Sequence, residues 1–208
     1  MIVAGLTGSI AMGKTTVARI FAALGAAVFD ADAQVREFYS SPGAEAVEAA
    51  FPGVIEGGRV NRDKLAAAAL ADPQALARLE AIVHPEVARR RRSFLERAAA
   101  EGRRVAVLDA PLLVETAGAA CVDVVLVVSA SEAAQRARAL ARPGMSAAKF
   151  AAILARQTPD RDKRRFAHCV IDTNGTLEAT RAQTAGVLRA IAAMPGRRHC
   201  PEGRFADA

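Results

Sequence analysis

One eight-residue stretch constrains this chain more than any other. Gly8-Ser9-Ile10-Ala11-Met12-Gly13-Lys14-Thr15 matches G-x-x-x-x-G-K-[ST] at every fixed position. The short apolar run Ile2 to Leu6 precedes it and reads as a buried strand. A helical pattern follows from about Lys14 to Leu24, with Val17, Ile20, Phe21 and Leu24 on one stripe. Strand, loop, helix is the context in which the motif has chemical meaning. Loop N–H groups then point inward and cradle phosphates. The helix that follows adds its positive end. Gly8 and Gly13 permit backbone geometries that a side chain would obstruct. Lys14 sets a compact ammonium against the β/γ-phosphates, and the Thr15 hydroxyl suits Mg²⁺. The motif thus implies a nucleoside triphosphate, but not what receives the phosphate. The bland alternative is a glycine-containing turn that binds nothing.

The rest of the pattern extends that opening into an α/β fold. Ala26 to Phe29 reads as a second strand that stops at Asp30, completing a βαβ start. Further strands are expected at Arg104–Asp109, from Asp123 to Val128, and at Cys169–Asp172. Ser131 and Ser146 stand as N-caps of helices ending near Arg142 and Gln157, and Thr176 opens a closing helix to Met194. Strands alternating with helices imply a doubly wound, five-stranded parallel sheet.

Residues 33–100 break the rhythm. Only Val54-Ile55 is remotely strand-like there. Asp72-Pro73 marks a helix start, and a long helical pattern then runs to Leu95. Pro85 within it predicts a kink or break near His84. The expected organisation is a nucleotide-binding core of 1–32 and 101–194, a helical insertion at 33–100, and a tail at 195–208.

Charge and cysteines narrow the class. Among 208 residues, 28 are Lys or Arg, and only Lys14, Lys64, Lys149 and Lys163 are Lys. The net charge of +6 suits an anionic partner, either nucleic acid or a phosphate-rich ligand. Arg89-Arg90-Arg91-Arg92 would point all around a helix and reads mainly as a solvated run. Without interleaved aromatics it lacks a base-stacking surface. Cys121, Cys169 and Cys200 form no framework, which favours a reducing compartment. His168-Cys169 and His199-Cys200 are too isolated for zinc. The longest apolar run, Val122 to Ala130, contains Asp123 and falls short of a membrane span. A cytoplasmic protein without membrane or nucleic-acid partners is expected.

A GTPase would need a guanine-reading NKxD, and a transport ATPase a longer chain with its signature motif. Neither is present, which leaves a small-molecule kinase. Asp30 and Asp32 stand at the end of the second strand, beside the expected ligand crevice. Asp30 suits a cap; Asp32 suits orienting or deprotonating an acceptor hydroxyl. Asp109 ends an apolar strand, either as a water-mediated contact to Mg²⁺ or as a loop-stabilising carboxylate.

On these residues the chain resembles the dephospho-CoA kinases over about 2–192. Leu6 to Ile10 through Gly13-Lys14-Thr15-Thr16 is similar to the family's loop, and Asp30-Ala31-Asp32 to its D-A-D. Ile82-Val83-His84-Pro85 resembles its HP element, and Pro111-Leu112-Leu113-Val114-Glu115 its P-L-L-hydrophobic-E segment. Ala155-Arg156-Gln157 and Val170 to Gly175 are similar to its C-terminal signatures. The resemblance implies ATP- and Mg²⁺-dependent phosphorylation of the 3′-hydroxyl of dephospho-CoA, the last step of coenzyme A synthesis. It implies catalytic roles for Asp32, Lys14 and Arg142. It implies ATP contacts from residues 8–16, namely Gly8, Ser9, Ile10, Ala11, Met12, Gly13, Lys14, Thr15 and Thr16, and from Arg138 and Asn174. Substrate contacts would come from Asp32, His84, Leu112, Leu113 and Glu115. The insertion would receive the CoA portion, and 136–165 would form a lid. A monomer or weak homo-oligomer is expected. Ala11 departs from the family's usual Gly, which matters if that position demands positive φ. Other small acceptors, such as a nucleoside monophosphate or shikimate, and an ATP- or GTP-dependent switch or nucleic-acid-binding protein, are the competing readings.

Overall fold

The fold follows from where apolar runs end and caps begin. In a computed structural model of the chain, the structure describes residues 1–40, 43–70 and 72–195. The tail expected at 195–208 lies outside the described residues from 196 onward, as do His199 and Cys200.

In chain order the elements are β1 (Ile2–Thr7), α1 (Lys14–Ala23), β2 (Ala27–Asp30), α2 (Ala31–Phe38) and α3 (Gly43–Ala50). Next come β3 (Ile55–Glu56), β4 (Arg59–Val60), α4 (Arg62–Leu70), α5 (Pro73–Ala100) and β5 (Val105–Asp109). The chain continues with β6 (Val124–Ser129), α6 (Glu132–Leu140), α7 (Ala147–Leu154), α8 (Asp160–Lys163), β7 (Cys169–Asp172) and α9 (Leu177–Ala192). They divide into two compact units: Met1–Phe29 with Leu95 onward, and Asp30–Phe94.

The first unit holds the five-stranded sheet, in the order β2-β5-β1-β6-β7. β1 is central and pairs in parallel with β5 (Leu6 with Asp109) and β6 (Thr7 with Val127). Strands buried on both faces read as unbroken apolar runs, which is why Val124–Ser129 is buried throughout. The core gathers Leu6, Val17, Phe21, Val107, Leu126, Ile171 and Ile191. Loops leave the C-terminal ends of β1, β5 and β6, the side of a parallel sheet where ligands bind.

Caps fall where the residue types place them. Ser131, Ser146 and Thr176 accept from Ala134, Lys149 and Ala179. Asp30 accepts from the Ala33 N–H at 2.8 Å and so caps α2. Asp72 accepts from the Gln74 N–H and opens α5.

The second unit has its own core: Phe38, Val47, Phe51, Val54, Leu65 and Val83. Its helices are interrupted by one short sheet, which begins at the strand-like Ile55. A hairpin, β3–β4, turns at Gly57-Gly58, both at positive φ. Glu48 braces the chain before it, accepting from the N–H groups of Gly53, Ile55 and Val54. The Gly53 hydrogen bond leads in holding its carboxyl below the ordinary value, against a smaller upward push from burial; Ile55, Val54 and the Lys64 charge add to the lowering. Of the kink or break expected near His84, the break does not occur: α5 runs through Pro85. An internal proline costs about 3 kcal/mol. Burial of Val83, with Leu79, Ile82 and Val87 packed on the same cluster, offsets it.

Candidate active site

The phosphate loop joins β1 to α1, and its shape is set by close backbone packing. A Cβ on Gly8 would lie 2.6 Å from the Val128 carbonyl oxygen, so only glycine fits. Gly13 caps α1 at φ 93°, against Thr173. Ala11 also adopts positive φ, 62°, the one non-glycine to do so among the described residues. The position therefore does demand the left-handed region, at about 1–2 kcal/mol for a residue with a Cβ. Ser9 and Met12 are buried, and the Met12 N–H closes a turn onto the Ser9 carbonyl. Thr15 and Thr16 are exposed on the first turn of α1. The Thr16 N–H already donates to the Gly13 carbonyl, which leaves the N–H groups of Lys14 and Thr15 without a helical acceptor and available to an anion.

Lys14 is ion-paired to Asp109. Their side chains are 16% and 5% exposed, so the charges neutralise each other in a largely dry setting. Thr173 locks the other side of the loop. Its hydroxyl donates to the Met12 carbonyl at 2.8 Å. Arg138 donates to the Thr173 hydroxyl (3.0 Å) and carbonyl (2.5 Å), so its guanidinium is oriented although the residue is exposed. Asn174 accepts from the Ser131 N–H at 2.8 Å and donates to Asp172. That engages its side chain in joining β7 to the cap of α6. Arg142 is exposed just beyond α6.

Two glutamines meet the loop, and the sequence reading assigned neither to the site. Gln135 Nε2 donates to the Ile10 carbonyl and Gln157 Oε1 accepts from the Ile10 N–H, both at 2.9 Å.

The arrangement suits ATP: backbone donors, an ammonium, a carboxylate and an arginine from a following helix converge on one loop. The dephospho-CoA kinase family model matches residues 1–179. The chain belongs to the dephospho-CoA kinase family. A dephospho-CoA kinase of Rhodopseudomonas palustris (strain BisB18) is 52% identical over 95% of this chain and the whole of that protein. Among solved structures, TT1252 from Thermus thermophilus superposes with a TM-score of 0.79 at 34% identity, covering 90% of this chain and 97% of that one. A dephospho-CoA kinase from Campylobacter jejuni, 19% identical, shares the fold at a TM-score of 0.59 over 91% of this chain and 96% of that one. This chain is accordingly a transferase that uses ATP to phosphorylate dephospho-CoA, completing coenzyme A synthesis.

The family's other motifs occupy different settings. In the first unit, Leu113 is 4% exposed and packs with Val125 and Val127, beneath the exposed Leu112. Glu115 pairs with the fully buried Lys163 at 2.8 Å and accepts from the Thr158 N–H. Burial pushes the Glu115 carboxyl up, but the hydrogen bonds from Lys163 and Thr158 outweigh it and hold it below the ordinary range. The Lys163 ammonium also donates to the Pro111 carbonyl, which the Thr7 hydroxyl shares. These bonds fix the stem of the expected lid to the segment after β5. In the second unit, Asp32 is exposed on the first turn of α2, and His84 is half-buried within α5. Arg90, within the basic run, is half-buried and contacts Glu86, Glu37 and Gln34. It thereby ties α2 to α5.

Proposed function

We propose a division of labour among these residues for phosphoryl transfer to the 3′-hydroxyl of dephospho-CoA. The loop amides of Ala11, Gly13, Lys14 and Thr15, which carry no bond within the loop, and the Lys14 ammonium hold the ATP phosphates. Asp32 orients the attacking hydroxyl or accepts its proton. Arg142, with Arg138 beside it, gathers charge on the transferring group. Phosphoryl transfer passes through a loose transition state, so positioning and charge stabilisation carry most of the rate. The Lys14–Asp109 pair supports this reading most directly, because it presets the ammonium at the loop.

Mg²⁺ fits the donor set by its chemistry. The Thr15 hydroxyl is exposed, and the Asp109 carboxylate stands at the end of β5; both offer hard oxygen ligands. Thr15 would hold it directly and Asp109 through water. When bound, the ion neutralises phosphate charge.

The helical insertion at 33–100 is the region that receives the CoA portion, with His84 near the acceptor and Leu112, Leu113 and Glu115 shaping the substrate side. Residues 136–165 form the lid, and Asn174 lines the adenine pocket. No helix among the described residues is long and apolar enough to cross a membrane. The expected setting is the cytoplasm, as a monomer or weak homo-oligomer that binds no nucleic acid. Steady-state kinetics with Mg·ATP and dephospho-CoA test the roles: Asp32 and Arg142 variants must lose kcat, and Lys14 variants ATP binding.

A further inference from the structure

Ile10 is the third residue of the phosphate loop, and neither of its backbone groups is left to the ligand. Its carbonyl accepts from Gln135 of α6, and its N–H donates to Gln157, three residues past α7. Gln135 is 5% exposed, so this clasp is a packed feature. Ala11 follows immediately, at φ 62°. Its methyl is buried with Ala139 and Phe150, beside Ile10, Met145 and Leu154. A left-handed alanine persists only where its surroundings over-determine it. Here the surroundings are Gln135 and Gln157 on Ile10 before it and side chains of α6 and α7 over it.

We infer that Gln135 and Gln157 are positioning residues for ATP: they pin Ile10 and thereby keep Ala11 in the left-handed conformation that shapes the phosphate cradle. The lid is then part of the loop's ground state. The inference rests on the loop being the ATP site. It goes further in assigning the loop's shape to side chains 125 and 147 residues away.

The test is a pair of substitutions read by ATP dependence. Gln157→Met keeps side-chain length and removes the acceptor. It should raise KM for ATP roughly tenfold, the equilibrium cost of a left-handed alanine left unsupported. KM for dephospho-CoA should stay within about twofold. Ala11→Gly in the Gln157→Met background should lower KM for ATP again, because glycine needs no support there. A glutamine that merely satisfies buried groups would change the melting temperature without this rescue. An unchanged KM for ATP in Gln157→Met, or a raised one that Ala11→Gly does not lower, overturns the inference. Gln135→Met carries the same comparison if Gln157→Met does not fold. Lys14→Met tests the loop assignment separately: lost ATP binding there upholds that assignment whatever the glutamine variants show.

Discussion

Lys14 at the end of the phosphate loop is paired with Asp109 at the end of the neighbouring strand. β1 and β5 are adjacent and in register, Leu6 beside Asp109, so the pairing follows from the sheet itself. The ammonium is oriented by the protein itself, ahead of any phosphate it is proposed to hold. Lys14→Met should lower kcat/KM at least about a hundredfold. It should also cost about 2 kcal/mol in stability, since the buried Asp109 carboxylate loses the ammonium that faces it. Kinetics and urea unfolding on one preparation check both effects.

Asp32 is exposed, so its replacement removes chemistry without removing packing. Asp32→Asn should lower kcat by about 10²–10⁴-fold, while KM for ATP changes less than about twofold. The melting temperature should be unaltered. A variant that loses ATP affinity instead would move Asp32 to the nucleotide side.

Gly8 opens the phosphate loop and Gly25 leads into β2, and they differ in why they are glycine. At Gly8 a Cβ would meet the Val128 carbonyl oxygen at 2.6 Å; at Gly25 φ is +93° with nothing within 4 Å. Gly8→Ala must displace backbone and should cost about 2–3 kcal/mol with loss of ATP binding. Gly25→Ala should cost about 1 kcal/mol and leave ATP binding intact. Calorimetry with and without ATP separates the two.

Thr173 links β7 to the loop through one hydroxyl. Thr173→Val preserves shape but orphans the Met12 carbonyl and one Arg138 donor. The expected loss is about 1–3 kcal/mol, with a several-fold rise in KM for ATP. Thr173→Ser should recover most of both.

Glu86 carries the clearest pH signature. Hydrogen bonds from Arg89 and then Arg90 lower its carboxyl from 4.5 to about 2. A carboxyl depressed in the folded state contributes stability in full above its unfolded value, and that contribution is lost as pH falls through the folded one. Stability should therefore decline between about pH 4.5 and 2, and Glu86→Gln should flatten the decline. Glu48 acts in the same direction. Urea midpoints across that range provide the check.

Much of this was legible in the sequence because the signals are local. Apolar runs ending in Thr7, Asp109 and Ser129 mark strands, and Ser131, Ser146 and Thr176 mark helix starts. The Gly57-Gly58 hairpin carried a local turn signal too, but its strands are two residues each, too short for alternation to show. What stayed hidden depends on distance along the chain. The Ile10 clasp, Lys163 on Pro111, and Arg90 across to Gln34 join segments 147 to 52 residues apart. Pro85 does not end the helix for a related reason: tertiary burial of Val83 outweighs a local helix-breaking preference.

The loop, with Asp32 and the lid arginines, is proposed to direct the phosphate of ATP to the 3′-hydroxyl of dephospho-CoA. The most direct measurement is product formation by the purified chain with Mg·ATP, offered dephospho-CoA, a nucleoside monophosphate and shikimate in parallel. A 3′-phosphorylated product is expected from dephospho-CoA at a kcat/KM at least about a hundredfold above the others, and it should be lost in Asp32→Asn. Equal turnover of either competitor, or full activity of Asp32→Asn, would contradict that proposal.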